Sequence, residues 1–570
     1  MLLLIAAFTI VFRVSKTTER ETTWDVLGYY LYLPATFIHA DPMLDNIDWI
    51  EKANENYKLT GTIYQLSYKN KNGPMYFFLM GMALFYLPFF ILGHLLTIAI
   101  GGIADGFSPI YQYTLVAGGI FYTLLGVFLV LRILNHSTKD RSSALALGLF
   151  FFGTNMIQHL AYKNLETVNI LFLLSAGVLW HSIRLYETKS NRHFYWLSLF
   201  IGLAVLVKPS EGVLILIPTL WGASNLDALK SQLRFFWEER RHILLAGIIP
   251  MLLAMPQLLY WYIKTGSPIV DSYVNAGVGL DFWNPHLMEV LFSYRKGWFV
   301  YTPLIIFSVI GLGFLIKKIP GLGWPILIFC LFELWVIASW TEWWYGAAFS
   351  CRPMVITYPF LMLSFAWLLS NLKNRFIKGA VIGLSSLMAV YGAFKWWQFS
   401  QFIVHPSRMT KEAYWDTMFD TEKVYDKERL MLVNRSDDGN SEMQFPSQYI
   451  ITSIDSIDSK GNVSLPYHDV FKRKFSSITT TDHAWIEFSL DFIESELDSA
   501  SAFMVFTAVG PEGDYGYIYH PIQLVNGHYE KRFLTPEMRY ESDLIHAYIW
   551  VQNKSKIQIE KGAVIIYERQ

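Results

Sequence analysis

Apolar residues follow two regimes along this chain. Up to about position 400 they form long runs, at roughly 1–12, 75–100, 112–134, 142–160, 166–186, 194–207, 211–222, 243–263, 297–316, 322–340, 353–370 and 377–399. Several approach the roughly 20 residues that a helix needs to cross about 30 Å of hydrocarbon. The stretches from Ile243 to Tyr262 and from Trp298 to Ile316 contain no charged side chain. After His405 the pattern becomes alternation: Ile486, Phe488, Leu490 and Phe492 interleave with Glu487, Ser489 and Asp491. Likewise Ile545, Ala547, Ile549 and Val551 interleave with His546, Tyr548, Trp550 and Gln552. A period of two predicts strands with one buried face, broken here by Pro511-Glu512-Gly513-Asp514 and Val525-Asn526-Gly527. The pattern therefore predicts an all-α polytopic membrane domain over 1–404, followed by an all-β sandwich over 405–570, of jelly-roll or immunoglobulin-like type.

Charge orders the runs. Basic residues cluster at Lys139/Arg141, Lys189/Arg192, Lys230 to Arg241, Lys317/Lys318 and Lys373/Arg375/Lys378. Two spans separate each cluster from the next, as positively charged cytoplasmic loops require. Residues 155–165, 208–210, 264–296, 341–352 and everything after 400 then lie on the opposite, extracytoplasmic side. One run breaks this parity. If 1–12 and 75–100 both crossed, the basic loop at 135–142 would fall outside. The run 75–100, interrupted by Pro88, is therefore read as a re-entrant or interfacial hairpin, leaving 13–74 and 101–111 both outside. The count is about eleven spans plus that hairpin, with an inverted first span as the alternative. No small-residue cleavage site follows Met1 to Phe12 before Arg13, so this run is read as a span and not as a signal peptide.

Composition agrees with a membrane class. Charged residues make up 16% of the 570 positions and hydrophobic ones 53%, whereas a soluble domain carries roughly 25% charge. Net charge is −1, which offers nothing to a nucleic acid. Two cysteines, Cys330 and Cys351, form neither a disulfide framework nor a zinc-ligand spacing.

The outer loop 13–74 holds Thr23-Trp24-Asp25-Val26-Leu27-Gly28-Tyr29-Tyr30-Leu31-Tyr32-Leu33-Pro34. A carboxylate held among aromatic rings at a membrane surface is partly desolvated, which suits it to general-base work. Asp25 is equally placed to cap the helix that follows it. Arg352, Lys71, Lys208 and Arg295 stand at predicted outer span ends. Arginine there suits bidentate phosphate recognition and lysine a point charge, although both also anchor in headgroups. Arg352 would lie on the side where positive residues are disfavoured, and Pro209 frees backbone groups beside Lys208. Trp340, Trp343 and Trp344 suit either a sugar face or the interfacial belt. Glu333 is an acid inside an apolar span, where charge is functional, paired or protonated. Lys163, Asn164 and Glu166 either line a cavity or form a solvated turn.

Several blocks recur in a recognisable order. They are Asp25 in the first outer loop, Lys71-Asn72-Gly73-Pro74, Phe85-Tyr86-Leu87-Pro88-Phe89 and Tyr262-Ile263-Lys264-Thr265-Gly266-Ser267-Pro268. Arg295-Lys296-Gly297-Trp298-Phe299-Val300-Tyr301-Thr302-Pro303 and Trp340-Thr341-Glu342-Trp343-Trp344-Tyr345-Gly346-Ala347-Ala348-Phe349-Ser350-Cys351-Arg352-Pro353 complete the set. Over residues 20–365 this order resembles the GT-C superfamily of polytopic membrane glycosyltransferases, in its bacterial polyprenyl-phosphate-sugar-dependent branch, similar to the protein mannosyltransferase and aminoarabinose transferase type. The resemblance implies a bacterial inner-membrane enzyme with an extracytoplasmic C-terminal domain. Its reaction would be inverting transfer of a sugar from a polyprenyl-phosphate donor to a hydroxyl of a glycan, lipid or protein acceptor. Asp25 would be the catalytic base, with Arg352, Lys71, Lys208, Arg295, Trp343, Trp344 and Glu342 binding substrate. A phosphate leaving group departs as a stable anion, so one base suffices where glycoside hydrolysis uses two carboxyl groups. This chain departs from the pattern at Cys351 and Ala347, where glycines are usual, and in having no acid adjacent to Asp25. That missing paired acid leaves the cofactor open: none is certain, and a divalent metal is compatible with the resemblance but not indicated by these residues. The rival reading is a transporter or flippase of a lipid-linked sugar, for which paired halves are expected; no internal repeat is visible. A receptor or scaffold needs one span only.

Overall fold

The computed structural model describes the whole chain except residues 69–71, 273–277, 436–448, 458–459, 464–466, 493–501, 512, 541, 552–556 and 570. It divides into two compact units, one drawn from residues up to Ser407 and the other from Arg408 onward. Lys71 lies outside the described residues.

The first unit is helical. Among the described residues seven helices are long and apolar enough to cross a membrane: Gly81–Ala99, Pro109–Ser137, Thr167–Thr188, Arg240–Thr265, Pro320–Ala338, Arg352–Asn371 and Arg375–Ser400. Shorter apolar helices cover Leu2–Ser15, Arg192–Val207 and Pro209–Leu220. The expected count of about eleven spans thus becomes seven full-length helices plus shorter ones among the described residues. In the apolar 18-residue stretch of Thr167–Thr188 and of Arg352–Asn371, 83% of the residues are buried within the protein, against only 17% in Arg240–Thr265 and Arg375–Ser400, which are at least as apolar. Leu244, Met251, Leu387 and Val390 on these two outer helices are exposed. Contiguous apolar surface of this length is tolerated against lipid and not against water. The unit is that of a multi-pass membrane protein.

The hairpin expected over 75–100 is corrected. Gly81–Ala99 is one continuous helix with Pro88 inside it. It runs antiparallel to the first half of Pro109–Ser137, so close that a Cβ on Gly118 would sit 2.5 Å from the Phe89 ring. Tyr122 Oη donates to the Phe85 carbonyl at 3.0 Å. The proline is accommodated because this neighbouring helix buttresses the position, a role that a Pro-as-breaker reading overlooks. The connection after Ala99 nevertheless returns to the first loop: Tyr57 Oη donates to Asp105 Oδ2 at 2.5 Å, and Tyr30 Oη donates to the Gly106 carbonyl. The described residues of the first loop around Tyr30 and Tyr57 and those of 101–111 therefore share one end of the unit. In a background lacking Cys330 and Cys351, single cysteines at the exposed positions Asn56 and Ile103 should both react with an impermeant thiol reagent from the same face. Labelling of only one before permeabilisation would refute that placement.

Within the first loop a two-strand ladder, β1 (Leu66–Ser67) with β2 (Met75–Tyr76), pins the backbone. The second unit carries β3 (Tyr449–Ile457), β4 (Lys460–Val463), β5 (Tyr467–Lys474), β6 (Ala484–Phe492), β7 (Ala502–Gly510), β8 (Gly513–Pro521), β9 (His528–Leu534), β10 (Leu544–Val551) and β11 (Ile557–Arg569). One antiparallel sheet has the order β5-β10-β7-β8, and the other β3-β11-β6-β9 with β4 also on β11. From β4 onward successive strands alternate between sheets except at the β7–β8 hairpin. This is the jelly-roll order and not the immunoglobulin one. The alternation predicted for β10 holds residue by residue, with Ile545, Ala547, Ile549 and Val551 buried. Between the sheets Phe506 stacks on Phe533 at 5.2 Å and meets Phe488 at 6.2 Å.

Candidate active site

Asp25 begins a short helix, Asp25–Tyr30, whose N-cap residue is Trp24 at a positive φ of 52° with ψ −126°. Positive φ is uncommon for a bulky residue and needs outside support. That support is visible: Trp24 N donates to the Leu59 carbonyl at 3.3 Å, and its own carbonyl accepts from Gln65 Nε2 at 3.1 Å. No side chain caps this helix. The capping role open to Asp25 in the sequence is thus not the one its carboxylate plays. Oδ1 accepts from Tyr64 Oη at 2.6 Å, and Oδ2 faces Arg352 Nη2 at 3.4 Å. Burial, and then the Asp25 charge, push the Tyr64 phenol up, so it stays a donor.

Arg352 stands between two acids. Its Nη1 lies 3.7 Å from Glu166 Oε2, and the same carboxylate oxygen lies 3.4 Å from His159 Nδ1. His159 is buried, and its Nε2 faces the Phe349 carbonyl at 3.3 Å. Burial raises the proton affinity of Glu166. His159, Arg352 and Lys163 outweigh it and bring its pKa down to about 2, so the acid stays ionised. Of Lys163, Asn164 and Glu166, the structure thus holds Asn164 and Glu166 in a packed network, whereas Lys163 is exposed. Asn164 is buried and accepts from Arg13 Nε at 3.0 Å, while Arg13 also pairs with Glu21 at 2.5 Å. Asp25, Tyr64, Arg352, Glu166 and His159 form one contiguous chain of charge and hydrogen bonding. Of these, Tyr64 and His159 carried no signal in the sequence: Tyr64 meets Asp25 across 39 positions, and His159, although only a turn before Glu166, is tied to the Phe349 carbonyl across 190.

Lys208 belongs to a second group. The helix Arg192–Val207 ends in an extended residue at Lys208, and a 3-10 helix, Pro209–Ile215, follows. Lys208 Nζ pairs with Glu211 Oε1 at 3.2 Å. Glu211 and Glu333 are buried, with Glu211 Oε2 and both Glu333 carboxylate oxygens unpartnered. Glu333 feels the charges of Glu211 and Lys208. Tyr345, which donates to the Ile337 carbonyl at 2.7 Å, feels Glu333, Glu211 and Arg352 together. The Cys351 thiol, which burial pushes up to about 12, lies in the field of Lys208, Lys296 and Arg352. Three cations thus converge on the segment around Cys351.

Arg295, Trp343 and Trp344 form a third group. The Arg295 guanidinium lies 4.1 Å from the Trp344 ring centre and 5.8 Å from that of Trp343, and its Nε donates to the Ser407 carbonyl at 2.6 Å. The two tryptophans meet edge to face at 5.9 Å. The adjacent Lys296, which the sequence reading passed over as a candidate, is buried and donates to the Ala348 and Pro406 carbonyls. Burial, then Arg295 and Arg352, hold its proton affinity well below that of an ordinary lysine. Glu342 accepts from Tyr345 N at 2.9 Å through its carbonyl. Among the described residues no group of three His, Cys, Asp or Glu side chains is placed to hold a metal ion.

No protein-family model matches the chain, and no curated protein sequence matches it. Among solved structures it is similar to the archaeal oligosaccharyltransferase AglB from Archaeoglobus fulgidus, in complex with an inhibitory peptide and a dolichol-phosphate. That similarity has 12% identity and a TM-score of 0.38, and covers 76% of this chain and 59% of that one. The chain thus spans less than two thirds of that neighbour's length.

Proposed function

We propose that this chain is an inverting glycosyltransferase that moves a sugar from a polyprenyl-phosphate donor to an acceptor hydroxyl at the membrane face bearing Asp25. The observation that carries this reading is the Asp25 carboxylate, free of any capping bond, oriented by Tyr64 and set against Arg352. The acceptor hydroxyl gives its proton to Asp25 as its oxygen attacks the anomeric carbon. The bond from that carbon to the phosphate oxygen breaks, and polyprenyl phosphate leaves as an anion that needs no proton. Attack opposite the leaving group inverts the anomeric centre. Arg352 contacts its two acids at 3.4 and 3.7 Å, longer than the 2.7–2.9 Å of a tight charge-assisted bond. It is therefore available to turn a nitrogen pair toward phosphate, which frees Asp25 Oδ2 for the proton. Lys208 is half-buried and adds a point charge in the same field.

Full-length protein mixed with a panel of polyprenyl-phosphate-linked sugars and hydroxyl acceptors should release polyprenyl phosphate from at least one donor. Movement of a lipid-linked sugar across vesicle bilayers with no such release would overturn the reading in favour of a transporter.

A further inference from the structure

The outer face of the β5-β10-β7-β8 sheet is paved with aromatic rings. Register across the four strands sets Tyr467, Trp550, Phe503 and Pro521 in one row, and Asp469, Tyr548, Val505 and Tyr519 in the next. Tyr517 hydrogen-bonds Tyr548 from the following row, where His546 stands opposite Thr507. Adjacent rings are 5.7 Å apart for Phe503–Trp550 and for Tyr467–Tyr548, 5.8 Å for Phe503–Tyr519 and 6.1 Å for Tyr517–Tyr519. Tyr467, Tyr517 and Tyr519 are 55%, 48% and 57% exposed, while Val505 and Thr507 beneath the layer are fully buried. Six rings on one face of a unit whose core is on the other side contribute nothing to that core. Such a patch marks an interaction surface.

We propose that this face binds a neutral oligosaccharide. Rows of side chains across a sheet repeat at about 4.8 Å, close to the width of one sugar ring, so successive rings can stack on successive pyranose faces. Polar groups lie among the aromatics instead of around them. His546 Nε2 meets Asp469 Oδ1 at 2.9 Å, Asp514 lies in the field of Tyr548, and the Tyr517 and Tyr548 side chains hydrogen-bond each other. Carboxylates and phenols accept from sugar hydroxyls, and tyrosine supplies flat contact at low entropic cost. The charge around the rings selects the occupant. Asp469 and Asp514 are balanced by two lysines on the same face, Lys472 opposite His546 and Lys474 in the row of Asp514, whereas an anionic bilayer surface calls for a net cluster of basic residues. A protein partner calls for an apolar centre with a polar rim, and here the two are interleaved.

The test is calorimetric titration of the full-length protein in detergent with cello-, chito-, malto- and xylo-oligosaccharides. At least one series should bind, with affinity rising with chain length. Tyr519→Ala and Tyr467→Ala should each weaken it by about tenfold, on the order of one lost stacking contact. Tyr519→Phe keeps the ring and should keep most of the affinity, which separates stacking from misfolding. Failure of every series to bind the native protein, undiminished native affinity in both alanine variants, or cosedimentation with anionic vesicles that these variants abolish would overturn the proposal.

Discussion

Asp25→Asn should transfer sugar roughly 10²–10⁴-fold more slowly than the native protein, with folding and donor affinity retained. Asparagine is nearly isosteric and keeps an oxygen to accept from Tyr64, so the loop anchored by Trp24 and Gln65 is not disturbed. What it lacks is the capacity to take the acceptor's proton. No capping bond is lost, because none is made at this helix start. Donor affinity is expected to hold or improve, since the substitution removes a carboxylate that competes with phosphate for Arg352. Steady-state kinetics with a verified donor check both halves. Near-normal turnover would move the base elsewhere. Asp41 is a poor successor, because its two oxygens accept from Asp45 N at 2.8 Å and Asn46 N at 3.2 Å. Glu166 is held ionised but already committed to His159 and Arg352, which would leave Glu342 as the remaining candidate.

What could be read from the sequence divides along the range of the interactions. Alternation in β10 and the apolar runs are local, and both elements formed where the pattern put them. The jelly-roll order is not local: β11 pairs with β3, β4 and β6, and nothing in a strand's own alternation specifies its neighbour. Pro88 was misread for the same reason, since what tolerates it is the close helix carrying Gly118. Asp25 and Arg352 stood out by residue type and position, yet their meeting across 327 positions is a tertiary fact. Glu166 looked like a turn residue because the groups that hold it, His159 on a preceding turn and Arg352 far downstream, carry no mark of that purpose. Arg295 reads from the sequence as a phosphate-binding cation and the tryptophans separately as a sugar face or interfacial belt; their proximity makes them partners of each other before they are partners of a ligand.

Arg352→Lys should raise the donor KM by about tenfold to a hundredfold while leaving kcat within a few-fold. A guanidinium offers parallel donors in a fixed fork, and replacing a charge-assisted bidentate contact with a single ammonium forfeits about 1.5–3 kcal/mol. Here the geometry makes the loss specific. Nη2 addresses Asp25 and Nη1 addresses Glu166, so two nitrogens serve two acids in the resting site and become the pair that meets phosphate. One Nζ cannot span both. The carboxylates keep a positive neighbour, so the site should not unravel as it would with alanine, where partly buried acids would be left unpaired. The KM-against-kcat split is the informative readout. An Arg352 that serves only to brace Asp25 and Glu166 would, when replaced by lysine, lower the melting temperature and kcat together and leave KM unchanged. A raised KM with native kcat would instead tie Arg352 to the donor, and combining it with Asp25→Asn should add a slow proton transfer to a weak donor interaction, each visible in its own constant.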